Sequence, residues 1–474
     1  MEPELIRQEL DYFRCVCTKE ASREETVEVL IPDAMGDAAE ILDTQGMVFL
    51  RSKESEDGLT RLRGSIEGSV LYRTEEGTLC ALPFKSECRM EWTGEELKRD
   101  ARLSATLAAS GIEGRIINPR KILVSGELSG KCSQWCAEQT AYASGAAEGS
   151  VETRTETQTV RLVSDVTEKA FVLTEDFPLN DGSEPIEEIL LYRCVSQVEE
   201  AHSVAGKLIL QGSTRLELLY ADEEGKACPF SCNSAWSQLI DSAAEPSCTH
   251  IHLMPTAIYV DSINGGTAVS LELHLTAQVI CSENVEAQVL SDAYSTDYEA
   301  ELTTRELVFT SFADEETGKQ ETRSSVKAPE DMDEMLLCYG EAVSRQTCCI
   351  HVLYRAADGN ERDIRVSVPV EREGSFALRE LNAAKNGGNI DLRLSLVSDT
   401  PVGCETTLRW VDGIRLDENS PLSKKNRPGL VAVRRNSGSY WDLARKYGST
   451  VSLIEKANEE IDEKDIFLFI PRAR

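Results

Sequence analysis

The chain has 474 residues, with 82 Asp and Glu against 50 Lys and Arg and a formal net charge of −32 at pH 7. A surface of that sign repels nucleic acid and anionic membranes, which excludes both as ready partners. A hydrophobic content of 41% excludes a disordered acidic chain, and the length suits about three domains.

The start, Met1-Glu2-Pro3-Glu4, shows no basic segment followed by an apolar run, and no uncharged stretch of eighteen residues occurs. Neither a signal peptide nor direct membrane insertion is expected. The fifteen cysteines are odd in number and irregular in spacing, and Cys80, Cys194, Cys281 and Cys338 sit in apolar runs. They read as small core hydrophobes of a cytoplasmic protein and not as a disulfide framework.

In chain order, Leu5 to Cys17 fits either a short helix or a strand, Thr26 to Ile31 alternates as a strand, and Pro32-Asp33 ends it. A short helix is predicted around Asp37 to Leu42, then a strand from Met47 to Leu50. From Gly64 to Tyr72 the alternation is strict: Leu62, Ile66, Val70 and Tyr72 share one face, while Arg61, Arg63, Ser65 and Glu67 share the other. Glu76-Gly77 then supplies a hairpin turn, where Gly takes a positive φ at low cost. Asn118-Pro119-Arg120-Lys121 opens a strand holding Ile122, Val124 and Leu128, and Gly145 to Ser150 reads as a linker.

The hairpin pattern is written three times. It returns as Leu208, Leu210, Leu216, Leu218 and Tyr220 followed by Glu224-Gly225, and as Cys348, Ile350, Val352 and Tyr354 followed by Asp358-Gly359. Ile41 precedes Tyr72 by thirty-one residues and Ile189 precedes Tyr220 by the same distance, whereas Met335 precedes Tyr354 by nineteen, which predicts a lost or shortened strand in the third copy. Downstream strands carry Val269, Leu271, Leu273 and Leu275 after Asn264-Gly265-Gly266, and Ile390, Leu392, Leu394 and Leu396 after Asn386-Gly387-Gly388. Such self-similarity predicts three β-rich, sandwich-like modules over 1–145, 151–298 and 302–416, the third shortened.

Within the second copy, Val151 to Val163 has little apolar content and reads as an exposed or edge strand. Phe171 to Phe177 is a strand, Pro185 opens a one- or two-turn helix, and Met254-Pro255 precedes a strand. In the third copy, Ala313 to Ser325 is expected to be a solvated loop. Residues 417–428 form the clearest linker.

The last segment, 429–474, changes period. Val431 and Val433 make a short strand, Tyr440 to Tyr447 a helix capped by Gly448, Val451, Ile454 and Ala457 a second helix capped by Ser449 or Thr450, and Ile466 to Ile470 a closing strand. This is a small βααβ unit. Residues 421–474 hold eleven Lys or Arg and seven Asp or Glu, a balance of +4 that leaves −36 on the rest.

Candidate chemistry is sparse. His274 and His351 alternate with apolar residues on the polar faces of their strands and read as solvated. His250 and His252 share a strand face without a visible third ligand. Cys132 with Cys136 and Cys228 with Cys232 lack zinc-ribbon spacing. Gly126 to Lys131 falls short of a phosphate loop and reads as a strand-end turn. No catalytic, cofactor or metal residue is assigned, and the chain reads as a non-enzyme.

The order Val433, Tyr440-Trp441-Asp442-Leu443-Ala444, Lys446-Tyr447-Gly448, Thr450-Val451, Leu453-Ile454, Asn458 and Ile470-Pro471 resembles a LysM domain. The three β copies resemble SPOCS domains of spore-coat assembly proteins, through the Glu-Ile-Leu segments predicted as helix, the Tyr-ended strand with its Gly turn, and Asn118 to Lys121 before a strand. The resemblance implies a scaffold in spore coat assembly, on the mother-cell side of the developing spore surface. Its terminal domain would hold a protein partner, a SpoIVA-type coat ATPase, through Ser437, Gly438, Ser439, Tyr440, Trp441 and Asn458. Tyr72, Gly77, Tyr220, Gly225, Tyr354 and Gly359 mark the repeats structurally. The alternative is a cell-envelope protein binding peptidoglycan or chitin oligomers, although the loops that hold such glycans in LysM domains differ here at 437–439 and 462–467.

Overall fold

The computed structural model describes residues 2–147, 151–242, 248–312, 319–341, 346–370, 376–398, 403–422, 428–434, 438–459 and 467–473. The described residues are mainly β, at 79% strand with two short helices. No helix among the described residues is long and apolar enough to cross a membrane.

The first assembly comprises β1 (Leu5–Leu30), β2 (Ala38–Glu56), β3 (Leu59–Thr74), β4 (Leu79–Thr93), β5 (Arg102–Asn118) and β6 (Lys121–Ala146). β2-β3-β4 is an antiparallel meander; β6 pairs with β1 on one side and β5 on the other. Leu62, Val70, Tyr72, Leu107, Ile122 and Leu128 fill the core between these layers. The second assembly repeats this order with β7 (Val151–Pro178), β8 (Glu188–Val204), β9 (Lys207–Ala221), β10 (Ala227–Asp241), β11 (Cys248–Ile263) and β12 (Ala268–Ser295), around Leu210, Leu218, Tyr220, Leu271 and Leu273. In the third, β15 (Met332–Gly340), β16 (Thr347–Ala356) and β17 (Glu361–Pro369) face β14 (Lys319–Lys327), β18 (Phe376–Asn386) and β19 (Asn389–Ser398), while β13 (Tyr298–Phe312) pairs with β20 (Gly403–Pro421). The chain ends with β21 (Leu430–Arg434), α1 (Tyr440–Tyr447), α2 (Val451–Ala457) and β22 (Phe467–Pro471).

The spacings in the sequence are hairpin registers. Ile41 sits opposite Tyr72, Ile189 opposite Tyr220 and Met335 opposite Tyr354. The third interval is shorter because β15 has 9 residues where β2 has 19 and β8 has 17. The strand is shortened, not lost. After each tyrosine the turn is built alike: Gly77, Gly225 and Gly359 have φ of 89°, 77° and 86°, and each amide donates to the carbonyl three residues back, at 3.0, 2.9 and 2.9 Å. Each tyrosine ring enters its own core while its hydroxyl donates outward, Tyr72 to the Gly36 carbonyl at 3.2 Å, Tyr220 to the Glu184 carbonyl at 3.1 Å and Tyr354 to Asp331 Oδ1 at 3.4 Å.

Several local expectations are settled or corrected. Leu5 to Cys17, which fits either element by pattern, is strand. So is the predicted helix at Asp37 to Leu42, from Ala38 onward, because Ile41 is held across from Tyr72 and packs on the first core. Pro185 opens no helix; the Ile186 amide donates to the Gly266 carbonyl and Glu187 to Ala221, which feeds the chain straight into β8. Met254-Pro255 lies within β11, and the hairpin turn comes later, at Asn264-Gly265-Gly266. Gly126 and Gly130 lie inside β6, not at a strand end; a Cβ on Gly130 would stand 2.1 Å from Met90 Sδ. Of the expected loop 313–325, residues 319–325 belong to β14, and 313–318 lie outside the described residues. The expected linkers also shrink: β6 runs to Ala146 and β20 to Pro421, paired with Tyr298, while 148–150 and 423–427 lie outside the described residues.

Long strands let one hairpin serve two cores. In the β1–β6 pair the register slips between Cys15 and Cys17; below the slip Ile122, Val124 and Leu128 face the first core, and above it Leu10, Tyr12 and Tyr142 face elsewhere. The β7–β12 pair slips likewise between Cys281 and Ser282. A second slip in each long pair passes over Ser144, Ser291 or Asp412, so that Tyr142-Ala143, Leu290 with Val289, and Trp410-Val411 are buried as consecutive residues. A bulge places two neighbours on one side where strict alternation forbids it.

The upper halves of all three assemblies meet. Leu10 and Tyr12, Val160 and Leu162, and Phe309 and Trp410 share one cluster, with Tyr12 edge-on to Phe309 at 5.0 Å. The low-apolar segment at 151–163 therefore ends inside a core. At the opposite end Leu71, Leu219 and Leu353, each preceding a marker tyrosine, converge with Leu42, Leu191 and Leu337. Polar contacts run around this second junction: Arg73 donates to the Glu361 carbonyl at 2.8 Å and Arg355 to the Ala227 carbonyl, each linking the end of one meander's middle strand to the last strand of the next. Burying a leucine side chain is worth about 1.5–3 kcal/mol, so the two junctions join the assemblies into one folding unit. Urea unfolding followed by tryptophan fluorescence and by far-ultraviolet circular dichroism should give coincident single transitions; separated transitions would mean that the assemblies unfold as independent beads.

Candidate functional site

The terminal unit is assembled by short-range signals. Ser439 caps α1, its Oγ accepting from the Asp442 amide at 3.2 Å and donating to Asp442 Oδ2 at 2.7 Å. That hydroxyl first, then a backbone hydrogen bond at Ser439 and the charges of Arg154 and Arg445, hold the Asp442 carboxyl below its usual range. Gly448 ends the helix with φ of 67°, and Thr450, not Ser449, caps α2 by accepting from the Leu453 amide at 3.2 Å. Leu443, Ala444, Ile454, Leu468 and Ile470 form the small core between the helices and the β21–β22 ribbon.

Of the residues expected to contact a partner, Ser437 lies outside the described residues, and Gly438 and Ser439 form the exposed entry to α1. Two others are corrected. Asn458 is buried and its amide is consumed within the unit: Nδ2 donates to the carbonyls of Ile454 at 2.6 Å and Phe469 at 2.7 Å, and Oδ1 accepts from the Phe469 amide at 2.8 Å. Trp441 is buried against the second assembly, with Nε1 donating to Asp292 Oδ2 at 2.8 Å and its ring edge-on to Tyr294 at 4.8 Å. Arg445 pairs with the same aspartate at 3.0 Å, and the Tyr294 hydroxyl donates to the Ser449 carbonyl at 2.9 Å. Tyr440 is half-buried beside this contact. The aromatic face of α1 is thus occupied by the chain's own body.

What the unit leaves open is the outer face of its ribbon. Leu430, Phe467 and Phe469 are 55%, 49% and 41% exposed, on neighbouring strands with Phe469 opposite Ala432 and Phe467 opposite Arg434. Sequence alternation carried this signal, since Leu468 and Ile470 alternate with the two phenylalanines. It was missed because an aromatic in a strand reads first as core.

A second polar site lies where the three assemblies meet. His351, expected in solvent, is buried: its ring stacks on Tyr339 at 4.8 Å, Nε2 lies 3.1 Å from Glu341 Oε1, and Nδ1 lies 3.8 Å from Asp43 Oδ1 of the first assembly. Tyr339 donates to the same Asp43 oxygen at 2.7 Å, and burial drives its phenol far above the ordinary range. Arg193 of the second assembly reaches across to the Gly340 carbonyl at 2.9 Å, beside a cavity of about 330 Å³ lined by Gln45, Met254 and Tyr339. His274, by contrast, is half-exposed, with Nε2 on Glu272 at 2.6 Å.

His250 and His252 do share a strand face, and they touch: the two Nε2 atoms are 2.7 Å apart, so one ring donates and the other accepts, which requires the accepting ring to be neutral. Burial first, then the neighbouring charge of Lys131 and, for His250, the partner ring, pull their pKa values down to about 3 and about 4. The unfolded chain takes up these protons below about pH 6.5 while the folded chain does not. Stability should therefore fall as pH drops from about 6.5 towards 4, and His250→Asn with His252→Asn should flatten that part of a urea-midpoint profile relative to the parent. An unchanged slope would refute the assignment.

The terminal dock can be checked separately. Asp292→Ala removes the acceptor for Trp441 and the partner of Arg445, and should raise acrylamide quenching of Trp441 fluorescence severalfold without shifting the main unfolding transition. No family model, curated protein or solved structure matches this chain.

Proposed function

We propose that the chain is a non-enzymatic scaffold of spore envelope assembly, in which SPOCS-like β assemblies carry a LysM-like terminal unit that docks a coat-morphogenetic protein. The observation that carries the reading is the exposed apolar ribbon of Leu430, Phe467 and Phe469 on a segment of opposite charge to the acidic body. Exposed aromatics flanked by basic residues favour a protein surface that is apolar at its centre and acidic at its rim, since interface energy concentrates in aromatic anchors. Three β assemblies that share buried clusters offer several surfaces at once, which suits a protein that must hold a layer together. The SPOCS and LysM resemblances suggest a SpoIVA-type coat ATPase as that partner.

The fate of the expected contact residues moves the predicted anchor. Trp441 and Asn458 are engaged internally, so the ribbon face takes over from the α1 face. Capture of the full chain by an immobilised SpoIVA-type ATPase should be lost on deletion of residues 421–474, and weakened about tenfold or more by Phe467→Ser with Phe469→Ser. Undiminished capture by the deletion variant would reject the reading. Loss with the deletion but not with the double variant would return the anchor to α1.

A further inference from the structure

We propose that Glu341, Cys349 and His351 form a binding site for a divalent transition metal, with zinc the best match, at the seam between the third assembly and the first. The three donor atoms all lie within 4.8 Å of one another. Their arrangement follows from the hairpin: Tyr339 is opposite His351 in the β15–β16 ladder, the Glu341 amide donates to the Cys349 carbonyl at 2.9 Å, and Cys349 and His351, two apart, share a strand face.

The separations suit a metal as well as a hydrogen bond. Tetrahedral zinc with bonds near 2.1 Å to N and O and 2.3 Å to S sets its ligands about 3.4 Å apart for N and O, and about 3.6 Å for N and S. Here Nε2 of His351 is 3.1 Å from Glu341 Oε1 and 3.8 Å from Cys349 Sγ. Both distances from Nε2 are within a few tenths of an ångström of those spacings, and the third pair, Glu341 with Cys349, lies within 4.8 Å. A thiolate, an imidazole and a carboxylate together are the donor set of a borderline metal and not of magnesium or calcium.

The surroundings are those of a supported site. The other histidine nitrogen lies 3.8 Å from the Asp43 carboxylate, close to where a supporting acceptor is wanted, and Tyr339 and the Thr44 amide hold Asp43 in place at 2.7 and 2.9 Å. Glu341 Oε2 accepts from the Gly111 amide of the first assembly at 3.2 Å, which fixes the carboxylate and leaves Oε1 turned towards the histidine. Glu341 and Cys349 also line an open hollow of about 680 Å³ with Arg23, Gly111 and Thr347, so the ion has a route in and a fourth position for water. Binding would convert the Cys349 thiol to thiolate and release its proton, with His351 ligating through the Nε2 lone pair and Glu341 through Oε1. Because Asp43 and Gly111 belong to the first assembly, the ion would also brace the seam.

The test uses the full chain, stripped with chelator under a reductant and titrated with Co²⁺ as a spectroscopic stand-in and with Zn²⁺ by calorimetry. One equivalent should bind with a sulfur-to-cobalt charge-transfer band, and Zn²⁺ should displace it. Cys349→Ser, a change at a half-exposed position, should abolish that band and weaken Zn²⁺ binding at least tenfold, while Cys404→Ser should leave both unchanged. Glu341→Gln should keep the band and weaken binding. A stripped chain that takes up no Co²⁺, or a Cys349→Ser variant with the parent's spectrum and stoichiometry, would overturn the proposal. Neither result depends on whether the ribbon face captures a coat protein.

Discussion

Leu71, Leu219 and Leu353 point away from the cores that their neighbours Tyr72, Tyr220 and Tyr354 fill, and this two-sided demand governs the molecule. A meander that buries only one face can stand alone with a wet reverse side. These meanders carry an apolar residue on the reverse side at the strand end, and no single assembly has anything to cover it. Three of them cover one another.

The same economy operates at the other end. A hairpin as long as β1 with β6 twists too far to keep one face on one core, and the register slips near Cys15–Cys17 and Cys281–Ser282 reassign its faces. The lower half serves the local sandwich and the upper half the common cluster around Trp410 and Phe309. In the third assembly the corresponding length is divided between β13 with β20 and β14 with β19. Fixing the assemblies at both ends has a chemical consequence. It pulls Asp43, Arg193 and His351 from three different parts of the chain into one partly buried cluster, where the Asp43 carboxylate lies 3.8 Å from the His351 ring and Arg193 donates to the Gly340 carbonyl of another assembly.

The terminal unit follows a different logic. Its caps and its two ribbon strands are local: Gly448 and the two strands were legible residue by residue, the second cap was open between Ser449 and Thr450, and Ser439 as the cap of α1 went unread. Its orientation was not legible. A tryptophan on a short amphipathic helix reads equally as an anchor for another protein or as a plug for the chain's own body; only Asp292 and Tyr294, about 150 residues earlier, decide for the plug. Asn458 poses the same ambiguity, because a buried amide and a ligand-binding amide look alike until the carbonyls around it are placed. The helices predicted near Asp37 and Pro185 failed for a related reason: a few residues of mixed pattern take whatever conformation the strand opposite them requires.

What the sequence by itself determined was the period of the strands, the three glycine turns, the repeated Ile41–Tyr72 and Ile189–Tyr220 intervals, and the Gly448 cap of the last unit. All of these are consequences of steric rules acting over a few residues or across one hairpin. The tertiary structure alone decided that the polar-looking faces of the meanders hide leucines, that His351 leaves solvent for a seam with Glu341 and Cys349, and that Trp441 is spent inside the chain. Side-chain alternation tells which of two faces a residue occupies; whether the second face meets water or another assembly depends on chain hundreds of residues away.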